Sequence, residues 1–270
     1  MKQLFFGKIT VWFVFIVVLD WQGAWAGKPT PVKHPVYVLV HGAWHGGWCW
    51  QQVSAQLRAT GATVYTPTLS GMGEHQHTLT PAINLDTHIT DIVNLLVMED
   101  LHDVVLVGHS YAGAVITGVA DRIPERLHQL VFLDAVLVEN GQSLLDVHPK
   151  DIQAAFVAAA APSRGLSLPI RPSASFGVND VALSRWADAR LTPQPYRCFS
   201  QPIVLRNSYG NGLPTSYIAC TQPALSVLKV FAERTKHNPN WSYYELATGH
   251  DAMLSQPAET AALLQRISQR

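Results

Sequence analysis

The chain has 270 residues, 48% apolar and 14% charged, with 19 basic side chains against 19 acidic ones. That length buries a full core without staples or a metal, and the apolar share excludes a disordered chain. Balanced charge with no lysine or arginine run gives no support for a nucleic-acid partner.

Lys2 and Lys8 precede an apolar run at residues 9–19, and Ala24-Trp25-Ala26 places small residues at alternate positions. This is the n-region, h-region and cleavage pattern of a secretory signal, and the run is short for a bilayer span. Cleavage after Ala26 is expected, leaving residues 27–270 with 17 basic and 18 acidic side chains and no stable membrane anchor. The mature protein is then periplasmic or secreted. Export would place Cys49, Cys198 and Cys220 in an oxidising compartment. Three thiols leave at least one unpaired or bonded to another molecule, or all three serve as small buried apolar side chains.

Residues 36–40 read as a buried strand ending in the tight turn His41-Gly42. A helix over 53–60 and a strand at 63–65 follow, then a loop at 67–73. Asn84 or Asp86 can cap a helix whose apolar face carries Ile89, Ile92, Val93, Leu96 and Val97. Residues 104–107 predict a strand, 112–120 a helix and 130–133 a strand. Alternating helices and strands that are apolar on both faces indicate an α/β fold, a mostly parallel sheet covered by helices. Residues 139–200 break the rhythm with helices over 152–161 and 182–189 around a Pro/Ser-rich stretch, which reads as a small helical lid. Strands at 203–205, 216–219 and 241–246, and helices at 224–233 and 258–267, complete one domain.

The segment Val107-Gly108-His109-Ser110-Tyr111-Ala112-Gly113 joins an apolar strand to a helix through small residues around a serine. A serine on such a strained turn projects Oγ above the sheet, the context of a nucleophile elbow, although Ala112 stands where G-x-S-x-G has its last glycine. The backbone N–H of Tyr111, at the helix start, and that of Ala43, after Gly42, are the expected oxyanion donors. Of the 12 histidines, His250 lies after the last strand and before the last helix, the position of the base in the order serine, acid, histidine. The loop after strand 216–219 holds no carboxylate, so Asp134, at the carboxyl end of strand 130–133, is the preferred acid. Asp251, Asp180 and Asp188 are lesser candidates. His41 with His45, and His75 with His77, have metal-like spacing, but no cysteine or carboxylate cluster completes either set, so neither metal nor cofactor is expected. Trp44, Phe156 and Trp186, with Tyr111, are expected at the rim of the substrate pocket.

Taken together, residues 38–50, the 67–73 loop, Gly108-His109-Ser110, Leu133-Asp134-Ala135 and residues 248–253 resemble the α/β-hydrolase superfamily. Within it the chain is similar to plant methylesterases and hydroxynitrile lyases and to small bacterial carboxylesterases. The resemblance implies that Ser110 is the nucleophile, His250 the base, and Ala43 and Tyr111 the oxyanion donors. The plant members draw their acid from the loop after the strand matching 216–219, where this chain departs. The lyases need a lysine in the site, and neither Lys229 nor Lys236 adjoins His250. The expected activity is hydrolysis of small to medium, uncharged hydrophobic carboxylic esters through an acyl-enzyme, by a monomer or dimer. A lactonase or amidase, a lyase-like enzyme and a non-catalytic ligand-binding protein are the alternatives.

Overall fold

Strands that are apolar on both faces need cover on both sides, and the computed structural model supplies it. It describes Met1, Gly7 and residues 34–269. The elements of the expected export signal, from its lysines to its cleavage site, lie outside the described residues. In chain order the elements are β1 (Val36–Val40), α1 (Gln51–Ala59), β2 (Thr63–Tyr65), α2 (Leu85–Met98), β3 (Val104–His109), α3 (Ala112–Arg122) and β4 (Leu127–Leu133). After β4 come α4 (Lys150–Ala160), β5 (Ser167–Leu168), α5 (Val181–Asp188), β6 (Gln194–Pro195) and α6 (Arg197–Ser200). The chain then returns through β7 (Thr215–Cys220), α7 (Lys229–Lys236), β8 (Trp241–Leu246), α8 (Ala252–Ser255) and α9 (Pro257–Ser268).

Six strands form a parallel sheet in the order β2-β1-β3-β4-β7-β8. Side chains alternate across it. Val38, Val40, Leu106, Leu130 and Phe132 pack with residues of α2 and α3, while Leu39, Val105, Val107, Val131 and Ile218 pack with residues of α1, α8 and α9. Register aligns Val40 with Gly108, His109 with Leu133, and Leu133 with Ile218, so the carboxyl ends of four neighbouring strands share one edge. The strand order reverses direction at β1 and β3, the switch point where open α/β sheets leave a crevice at that edge.

The chain between β4 and β7 carries the helical lid, whose middle is tied to its later part by the antiparallel pairs Ser167–Pro195 and Leu168–Gln194. Two sequence expectations are corrected here. Residues 203–205 are not a strand: β7 occupies the place beside β4, and Ile203 instead exchanges backbone bonds with Gly141 and Gln142 at the lid's return. The helix expected from 224 begins only at Lys229, after a 3-10 turn at Ser226–Leu228, because Leu225 and Val227 are used as wall of a cavity. All three cysteines are free and buried, and burial pushes their thiol pKa values up, that of Cys198 to about 12. Among the described residues no helix is long and apolar enough to cross a membrane.

Helix α2 shows how local chemistry sets these boundaries. Asn84 Oδ1 accepts from Thr87 N at 3.0 Å, and Thr87 Oγ1 accepts from Asn84 N at 3.3 Å, a reciprocal cap that starts the helix. Asn84→Ala is expected to cost about 1 kcal/mol. A thermal melt checks this: Tm should fall by about 2–4 °C, and an unchanged Tm would remove the cap from the account.

Candidate active site

The turn from β3 into α3 can form only where side chains are absent. Ser110 has φ +55°, a strained left-handed conformation for a non-glycine residue. Its N–H donates to Leu133 O and its carbonyl accepts from Gly113 N and Val136 N, each at 3.1 Å. A Cβ on Gly108 would lie 2.7 Å from Ala112 O, and one on Gly113 would lie 2.3 Å from Val136 O. The close approach that the usual pattern assigns to its last glycine falls one residue later here, which is why Ala112 is tolerated.

Ser110 and His250 line one cavity at the carboxyl edge of the sheet. His250 is buried, and its Nδ1 donates to Asp134 Oδ2 at 2.7 Å. Asp134 is itself buried at the end of β4, and its Oδ1 accepts from Cys220 N at 3.2 Å. Of the four carboxylates considered from sequence, Asp134 is therefore the one on the His250 ring. Asp180 caps α5 by accepting from Leu183 N, Asp188 accepts from Ser173 N, and Asp251 faces His45.

Ala43 and Tyr111 line the same cavity, and neither backbone N–H donates to an acceptor among the described residues. Tyr111 is fixed by its ring. His88 Nε2 donates to Ser70 O, so Nδ1 accepts from Tyr111 OH at 2.9 Å, and Phe199 stacks on the tyrosine at 5.7 Å. Burial keeps His88 neutral by lowering its pKa, as this arrangement requires. On the Ala43 side, Gly42 leaves room for His109: a Cβ there would sit 2.7 Å from His109 Nδ1. His109 Nε2 donates to His250 O at 3.0 Å, and burial, with His250 and His45 nearby, holds its pKa well below the ordinary value. His41 likewise stays neutral. Burial pushes its pKa down to about 3, and its Nε2 accepts from Leu69 N at 3.0 Å, tying the turn to the 67–73 loop.

Of the three aromatic side chains picked out from sequence, Trp44 and Phe156 line the cavity and Trp186 does not. Trp186 lies one helical turn after Leu183 on α5, packs on Trp48 at 5.3 Å, and lines a separate groove with Met253 and Leu254. Arg190 covers its outer face at 4.2 Å. The cavity instead receives Phe176, Phe199, His148 and Arg171, lid side chains that no sequence motif marks. Three potential metal ligands, on His109, His250 and Asp251, lie within 4.8 Å of one another, and of their ring nitrogens His250 Nδ1 is paired with Asp134 and His109 Nε2 with the His250 carbonyl.

Residues 37–263 match the family model described as "Alpha/beta hydrolase family". A carbendazim hydrolyzing esterase from Nocardioides sp. (strain SG-4G) is 40% identical over 238 residues, covering 84% of this chain and 97% of that protein. Methyl jasmonate esterase 1 from Vitis vinifera is 27% identical over 259 residues, covering 86% and 95%. Among solved structures, an extracellular alpha/beta-hydrolase from a Paenibacillus species superposes with TM-score 0.77 at 24% identity, covering 86% and 98%.

The crowding at the turn gives a direct test. Gly113→Ala forces its methyl against Val136 O and is expected to cost about 1–3 kcal/mol. Chemical denaturation should show that loss as a lower midpoint with an unchanged slope. A midpoint equal to wild type would mean that the backbones there are not in the contact described.

Proposed function

This chain belongs to the alpha/beta hydrolase family and is a serine-hydrolase-type enzyme acting on small esters, and we propose that Ser110, His250 and Asp134 carry its chemistry. The observation that supports this reading is a single cavity holding Ser110, His250, Ala43 and Tyr111, with Asp134 on the far nitrogen of the histidine. Asp134 holds His250 in the tautomer with Nδ1–H, leaving Nε2 to take the Ser110 proton. Ser110 Oγ then bonds to the ester carbonyl carbon, and the Ala43 and Tyr111 N–H groups receive the charge that develops on its oxygen. The carbon–alkoxy bond breaks as His250 returns the proton to the leaving alcohol. Water, deprotonated by the same histidine, releases the acid and restores Ser110.

The cavity encloses about 80 Å³, lined by Trp44, Phe156, Phe176 and Phe199 with Val136 and Leu144. That volume is well below the roughly 300–1,000 Å³ of drug-sized sites, so it fits a small acyl or alcohol group presented to aromatic faces. The relative named as a carbendazim hydrolyzing esterase makes that compound the first substrate to assay, beside simple methyl and aryl esters. Among the described residues no lysine lines the cavity, which disfavours the lyase reading. Lys2, Lys8 and the small residues at Ala24 and Ala26 support export, and N-terminal sequencing of the exported protein should read from Gly27.

An active-serine phosphonate followed by mass spectrometry is expected to add to Ser110, and Ser110→Ala to remove the adduct. A folded wild type with no adduct would end the serine-hydrolase mechanism. Asp134→Asn should lower kcat by about 10²–10⁴ through the wrong histidine tautomer, whereas Asp188→Asn should stay near wild type. The reverse pattern would reassign the acid. Trp186→Ala, outside the cavity, should leave KM within about twofold, while Phe199→Ala raises it; Michaelis–Menten analysis on one aryl ester separates the two.

A further inference from the structure

Asp251 follows His250 in the chain yet does not line the Ser110 cavity. It is fully buried, with Oδ2 3.2 Å from His45 Nε2 and Oδ1 3.8 Å from His109 Nε2. His45 is buried too, and its other nitrogen, Nδ1, lies 2.7 Å from the Ala43 carbonyl. A ring with both nitrogens against acceptors donates from both only as an imidazolium. Burial disfavours that charge, but the Asp251 carboxylate and the Ala43 carbonyl outweigh it and raise the His45 pKa. His109 remains neutral, so His45 is the cation that answers Asp251.

The Ala43 carbonyl and the Trp44 N–H belong to one peptide unit. His45 holds its oxygen, and Gln194 Oε1 accepts from its N–H at 3.2 Å. The residue after this unit, Trp44, has φ +65°, a conformation that a tryptophan adopts only under constraint. Clamping both edges of this plane restrains rotation at the Ala43 Cα, whose other side is the Gly42–Ala43 peptide that carries the Ala43 N–H and whose own oxygen accepts from His41 Nδ1 at 2.8 Å.

We propose that His45 and Asp251 are a positioning pair for the oxyanion site: the buried imidazolium locks the Ala43–Trp44 peptide so that the Ala43 N–H stays aimed at the reacting oxygen. This rests on the assignment of Ala43 as an oxyanion donor. Neither side chain touches substrate. Because Asp251 adjoins His250, the pair also joins the loop of the base to the turn of the donor.

The test is on His45→Gln and Asp251→Asn in the full enzyme, with one aryl ester and a trifluoromethyl ketone, which bonds to Ser110 Oγ and presents an oxyanion to the same N–H groups. Removing an oxyanion donor outright costs about 10²–10³ in kcat. Mis-aiming one should cost about 10–100-fold, with KM within about threefold and ketone affinity falling in parallel with kcat. The double variant should be no slower than the slower single one, because the two act as a unit. A folded single variant with wild-type kcat overturns the proposal. So does a loss of kcat without loss of ketone affinity. Should either single variant fail to fold, the double variant, which leaves no unpaired buried charge, decides by the same two measurements. An inactive wild type overturns the esterase reading and this proposal with it, whereas an active wild type matched by its variants overturns this proposal alone.

Discussion

Three backbones meet at the carboxyl end of β3, and the rest of the site follows from how closely they pass. The elbow, the turn after β1 and the segment after β4 come together around Ser110, where a single added Cβ on Gly42, Gly108 or Gly113 would enter a neighbouring atom. That proximity places Val136 N on the Ser110 carbonyl and brings the start of α3 against the end of β4. The parallel register supplies the alignment, since β1, β3, β4 and β7 all end at this edge. Strain at Ser110, Asp134 and Trp44, all at positive φ, is concentrated where the chemistry is proposed to lie.

Buried imidazoles surround this point, and each has its proton fixed by its neighbours. His41, His88 and His109 are held neutral by burial, with carbonyls, an amide N–H and a tyrosine hydroxyl as partners. His45 alone is pulled the other way, by Asp251. On the proposed mechanism this leaves proton transfer to His250, with surrounding rings that serve as struts.

Sequence patterning revealed what depends on local chemistry. Residues 36–40, 104–107 and 130–133, within β1, β3 and β4, are continuous apolar runs, and the serine between Gly108 and Gly113 lies in a context that only a sharp turn explains. Asp134, the proposed acid, could be picked out by elimination, because the loop after β7 lacks a carboxylate and β4 ends at the same edge. What depends on the lid was not legible. Trp186 reads from sequence like any other aromatic residue, and only the packing of α5 on Trp48 turns it to a different groove. Residues 203–205 have strand composition, but a strand also needs a free neighbour, and β7 had taken that place. The pairing of His45 with Asp251 spans most of the chain, a separation no local pattern encodes.

Trp44 carries a consequence for how this protein could change. Its N–H is bound by Gln194, its indole Nε1 donates to Pro169 O, and its carbonyl accepts from Thr192 N at 2.9 Å. Three lid residues therefore grip a residue whose neighbour is a proposed oxyanion donor. On that proposed assignment, the lid and the oxyanion turn are mechanically linked and do not vary independently. A lid transplanted from a relative would alter selectivity, but without an acceptor at position 194 and carbonyl and amide partners for the indole and the Trp44 carbonyl it would also slacken the turn beneath it. New specificities in such a scaffold are more accessible through point changes at Phe156 or Phe199, which make no hydrogen bond to that turn, than through exchange of the whole cap.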